Sequence, residues 1–173
     1  MRTSIRAAAI AATALALAAL PARAQISLGL MGGAALPTSH LADSHDTGYH
    51  VQAYLGFGVP LVPLKARVEG LHASFPGRSL TGVVPPDVRA TGASVSLVYD
   101  LPVPVVTPYA LGGVGYYGTE VADVSRSNMG WNAGAGVRLR LGGVGVFAEA
   151  RYFAMNTGAR DLTFAPLTVG LMF

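Results

Sequence analysis

A chain of 173 residues that is 51% hydrophobic and only 12% charged can bury one sizeable domain, and its lack of cysteine excludes disulfide stapling. Its formal charge of +3 belongs to the first 24 residues, which hold Arg2, Arg6 and Arg23. Beyond them nine basic residues face nine acidic ones, which excludes the general basic excess of a nucleic-acid-binding protein.

Residues 1–24 have the parts of an export signal. Arg2 and Arg6 precede an apolar run over 7–20, and Pro21 then breaks the run before the small-x-small site Ala22-Arg23-Ala24. The run is shorter than the roughly 20 residues a membrane-spanning helix needs. The expected mature chain therefore starts at Gln25 and forms one domain over 25–173.

That domain has no further long apolar run. It alternates instead, the pattern of strands with two unlike surroundings. Eight strands are expected, over 25–36, 48–58, 64–75, 91–101, 107–117, 128–141, 144–155 and 162–173. In the second, Tyr49, Val51, Ala53, Leu55 and Phe57 oppose His50, Gln52 and Tyr54. In the third, Leu64, Ala66 and Val68 oppose Lys65, Arg67 and Glu69. The fourth sets Val95, Leu97 and Tyr99 against Ser94, Ser96 and Asp100, and the Gly-rich fifth has Tyr109, Leu111 and Tyr117 in phase. The sixth opposes Trp131, Ala133, Ala135 and Val137 to Asn132, Arg138 and Arg140, and the seventh opposes Val146, Ala148, Ala150 and Tyr152 to Glu149 and Arg151. The last puts Leu167, Val169, Leu171 and Phe173 on its apolar face. Pro166 cannot donate to a ladder, so a bulge or a missing bond is expected there.

The connections alternate in length. Those at 59–63, 102–106 and 142–143 are short, and those at 37–47, 76–90, 118–127 and 156–161 are longer. Short turns at one end and long loops at the other are the habit of transmembrane barrels, as is an even strand number. Aromatic residues divide into two belts on the faces read as outward: Phe57, Tyr99, Tyr109 and Phe173 near the short turns, and Tyr49, Tyr117, Trp131 and Tyr152 near the long loops. Seven charged residues, Lys65, Arg67, Glu69, Arg138, Arg140, Glu149 and Arg151, share the inward parity. Arg or Lys facing lipid at the midplane costs about 2–4 kcal/mol, and an eight-stranded lumen is only just wide enough for side chains. A packed network of ion pairs is expected, with a narrow anion-favouring channel as the alternative.

These features resemble the small bacterial outer-membrane β-barrels, the group of OmpA-like, OmpX-like and opacity-protein-like domains. The resemblance rests on the signal, TPYALGGVGYYG, WNAGAGVRLRL, FAEARYF and the terminal strand. It implies an eight-stranded antiparallel up-and-down barrel in the outer membrane, monomeric, amid lipid and lipopolysaccharide. It also implies that Leu167, Val169, Leu171 and Phe173 are read by the assembly machinery. The function implied is non-enzymatic, serving envelope integrity or surface interaction through four external loops and needing no cofactor or metal. A small porin-like channel and a lipid A-modifying enzyme are the alternatives.

Three other patterns carry less. His40, Asp43, His45 and Asp46 could ligate a divalent metal but suit any polar loop. His72 and Ser74 share a strand face without an acidic third member. GVGYYG matches a nucleotide-binding spacing but lacks the helix that would follow it.

Overall fold

Alternating strands that each bury one face need a surface on which to bury it, and this chain closes its sheet on itself. The computed structural model describes residues 25–58, 62–79, 82, 84–103, 105–122, 124–156 and 161–173, so the export signal lies outside the described residues. The strands are β1 (Gln25–Thr38), β2 (Gly48–Gly58), β3 (Leu64–Phe75), β4 (Val88–Asp100), β5 (Val106–Val121), β6 (Val124–Leu141), β7 (Val144–Met155) and β8 (Leu162–Met172). A short helix, α1 (His40–Ser44), lies between β1 and β2. Every strand pairs antiparallel with its sequence neighbours, and β8 returns to β1, giving a closed eight-stranded barrel. Leu28 and Phe173 exchange backbone hydrogen bonds at 2.8 and 3.0 Å across that closing seam.

The register sets the shape. Paired residues lead from Ser27 through Gly56, Arg67, Ser96, Gly113, Asn132, Phe153 and Phe164 back to β1 at Pro37. The chain thus climbs ten residues in one circuit. An even climb keeps every inward residue beside inward residues, and over eight strands it implies a tilt of roughly 40°.

The barrel is inside-out relative to a soluble protein. Leu28, Leu30, Val51, Leu55, Val68, Val95, Leu97, Val137, Val146, Leu167, Val169 and Leu171 stand exposed on the outer wall, while the buried set contains Arg67, Glu69, Glu149 and Arg151. An exposed apolar band all round a closed barrel is stable only against lipid.

Two expectations need correction, and of the two outcomes expected at Pro166 the lost pairing is the one found. The connection at 118–127 is not a loop: β5 and β6 stay paired up to Val121↔Val124, β4 accompanies β5 to Val88↔Val121, and β6 runs six residues past its pairing with β7, which starts at Gly130↔Met155. Strand that projects past the bilayer has water on both faces and loses its alternation, so its sequence reads as loop. Pro166 causes no bulge, because the β7–β8 register is the same at Ala150↔Leu167 and at Phe153↔Phe164; only the pairing between those points is lost. Tyr109 and Tyr117 are not belt residues but are buried in the lumen with Leu111, so β5 has the opposite phase to the expected one. Its outward aromatic is Tyr116, 60% exposed. The inward rings fit because their neighbours are glycines: a Cβ on Gly136 would collide with the Tyr109 ring, and one on Gly130 would meet Tyr117 at 3.1 Å.

Candidate functional site: the lumen and its lid

The lumen is organised by two short motifs on opposite walls. Arg67-Val68-Glu69 lies on β3 and Glu149-Ala150-Arg151 on β7, four strands apart and running in the same direction. Inverting the order of sign puts each arginine level with a glutamate across the barrel. Arg67 donates to Glu149 at 2.9 and 3.4 Å, and Arg151 donates to Glu69 at 2.5 and 2.9 Å. Within each strand Arg67 also pairs with Glu69, and Arg151 with Glu149. The four charges form a closed, neutral ring of alternating sign. The Tyr109 hydroxyl donates to Glu149 at 2.8 Å, and Tyr54 lies under the Arg67 guanidinium at 4.2 Å. All four members are buried, where charges persist only when paired and hydrogen-bonded.

On the short-turn side of this ring Asp100 accepts from Lys65 at 2.5 Å and from Arg138 at 3.1 and 3.2 Å, while Arg138 covers the Tyr109 ring at 4.8 Å. The expected charge set omitted Asp100, although its inward parity was readable. Arg140 lies beyond, exposed at the mouth. On the long-loop side, Gln52 donates to His50 at 3.0 Å and His50 pairs with Thr168 at 3.2 Å. The sequence reading puts His50 and Gln52 on the inward face of β2 but assigns them no role, because neutral side chains at inward parity carry no charge cost to flag them.

Above them the lumen turns apolar. Phe164 stacks on Phe153 at 5.1 Å and meets Phe75 edge-on at 5.1 Å, with Tyr117 edge-on to Phe153 at 6.1 Å. Leu71, Val88, Met155 and Leu41 of α1 complete this plug. The segments that follow β1 and β3 are tied into one lid over it. Asp46 N–H donates to the Pro76 carbonyl, Arg78 N–H to the Ser44 carbonyl, and the Arg78 side chain to Asp46 at 2.6 Å and the Ala42 carbonyl at 3.1 Å.

The lid explains the loop histidines. His45 is buried, with Ser44 Oγ at 2.9 Å and the Pro86 carbonyl at 3.2 Å from its two nitrogens. Asp46 holds Arg78, and exposed His40 faces Asp43 at 3.7 Å. No group of three metal-ligating side chains forms among the described residues. His72 pairs with the Thr91 hydroxyl at 2.8 Å and tilts against Tyr49 at 6.4 Å, a contact at the outer wall.

Of the belt residues, Tyr49, Tyr99, Trp131 and Phe173 are exposed on the outer wall, and Phe57 and Tyr152 are half-buried there, with Trp131 5.7 Å from Tyr152. Leu167, Val169 and Leu171 share the exposed face of β8 with Phe173. Beside the lid, α1, the projecting hairpin and the start of β8 enclose an open groove of about 430 Å³, lined by His40, Thr119, Arg126 and Asp161 among others.

A family model described as outer membrane protein beta-barrel domain matches residues 7–173. The chain belongs to this family. Among solved structures, Neisserial surface protein A is similar at 16% identity with a TM-score of 0.64, over 86% of this chain and 97% of that one. The Yersinia pestis outer membrane protein Ail, in a phospholipid bilayer nanodisc, is similar at 14% identity with a TM-score of 0.52, over 86% of this chain and 100% of that one. At such identities the likeness establishes the fold. No curated protein matches the sequence.

Proposed function

We propose that this is a monomeric, non-enzymatic protein of the bacterial outer membrane that acts through its external lid and projecting hairpin, with a lumen that carries no solute. The observation that carries this reading is the stacking of seals along one axis: the ion ring, then the aromatic plug, then the Leu41 lid. A porin-like path would have to cross all three. Family membership and the apolar outer wall support the location. Outer-membrane lipid and lipopolysaccharide are the surroundings such a wall fits, and the assembly machinery for such barrels is the partner its terminal strand suits.

In the orientation proposed here, both ends of 25–173 and the two-residue β6–β7 turn face the periplasm, and the β5–β6 tip faces outside. The absence of native cysteine makes a clean test. A membrane-impermeant maleimide added to intact cells should label Glu120→Cys on the projecting hairpin and spare Gly143→Cys until the envelope is opened. Labelling of Gly143→Cys alone would invert the topology, and immediate labelling of both would remove the protein from the membrane.

A further inference from the structure

Among the described residues, the lumen is unfilled at its short-turn end. Gly56, Gly58 and Gly145 face inward there; a Cβ on Gly58 would meet Lys65 Cγ at 2.9 Å, and one on Gly145 would meet Met172 Cε at 2.7 Å. The space beside them is a vestibule of about 290 Å³ whose lining includes Lys65, Arg67, Arg138 and Arg140 and, among the described residues, no carboxylate side chain. The surrounding charges do not balance. The ring is neutral in itself, and Asp100 answers only one of Lys65 and Arg138. Arg140 makes no ion pair among the described residues. Two positive charges are left over. The Phe173 main-chain oxygen at the rim is engaged by Leu28 N–H at 3.0 Å, and a carboxylate there offsets at most one of them.

One cation is also incompletely bonded. The Arg138 side chain is only 9% exposed, lies against the vestibule, and leaves its buried Nε without a hydrogen-bond acceptor. A guanidinium held over an aromatic ring, a second guanidinium at the mouth and an ammonium opposite form a receptor for an oxyanion. We propose that this vestibule binds a phosphate group. Phosphate matches the excess charge, and its tetrahedral oxygens can accept from several donors at once. Two sources offer that chemistry: free phosphate or a phosphate ester from the aqueous side, and the headgroup of an anionic phospholipid. The second is open because the rim includes Ile26 and Phe173, which stand on the lipid wall. The compartment faced rests on the orientation proposed above, and the cysteine labels test that separately; the binding itself does not depend on it.

The test follows the amide resonances of Gly56, Gly58 and Gly145 in the folded mature chain. Inorganic phosphate is titrated against chloride at equal ionic strength in zwitterionic detergent, and phosphatidylcholine nanodiscs are compared with discs also containing phosphatidylglycerol. Saturable one-to-one shifts with inorganic phosphate assign the aqueous source; shifts confined to phosphatidylglycerol discs assign the headgroup. In either arm Arg140→Gln should weaken binding at least about tenfold, ~1.4 kcal/mol. Arg140 is exposed, so the fold should survive; Arg140→Lys should recover part of the loss, and Arg126→Gln at the other end should change nothing. No saturable shift in either arm, or equal binding by the parent and Arg140→Gln, would overturn the site.

Discussion

Replacing Glu149 with Ala should lower unfolding stability by about 3–5 kcal/mol, the scale for leaving a buried charge without its partner. Glu149 accepts from Arg67, Arg151 and the Tyr109 hydroxyl, so its removal orphans three donors in one step. Glu69 accepts from Arg151 and pairs with Arg67, and Glu69→Ala should cost somewhat less because Tyr109 keeps its acceptor. Glu120→Ala, on the exposed hairpin, should stay within about 0.5 kcal/mol. The comparison is made by urea unfolding of protein refolded into one detergent. Parity between Glu149→Ala and Glu120→Ala would mean that the ring does not hold the two walls together.

Phe164→Ala should cost a similar amount, about 3–5 kcal/mol, for a different reason. Phe164 is fully buried between Phe75 and Phe153, and truncating it opens a cavity in the plug that no neighbouring element can collapse to fill. The analogous Phe173→Ala removes a ring that faces lipid and should cost much less. Equal losses would mean that the plug is not packed. The two buried variants should also differ in kind. Adding salt should rescue Glu149→Ala more than Phe164→Ala, because only the first leaves unbalanced charge.

The sequence discloses the barrel because lipid and lumen demand opposite chemistry at adjacent residues, and that demand is written at period two. Seven strands show their phase plainly. β5 does not, because Gly112, Gly113 and Gly115 are silent about facing, and its consecutive Tyr116 and Tyr117 offer an aromatic to either side. Interior packing decides between them, since Tyr109 and Tyr117 need the space beside Gly136 and Gly130 that only the neighbouring strand reveals. The same limit applies to the lumen charges. Their inward parity was legible from the cost of facing lipid, and the inverted order Arg-x-Glu against Glu-x-Arg is visible in the letters. That these two motifs lie across the barrel from each other follows only from strand number and stagger. The lid was illegible for a further reason: His45, Asp46 and Arg78 are ordinary loop residues until the β1–β2 and β3–β4 connections are brought side by side.

The most direct test of the account is electrical. The purified parent protein, reconstituted into planar bilayers, is recorded beside Phe164→Ala. The ion ring, the plug and the lid predict no steady current from the parent, and none from Phe164→Ala, in which the ring still spans the lumen. A steady ohmic conductance from the parent would contradict the sealed barrel and favour a solute channel in its place.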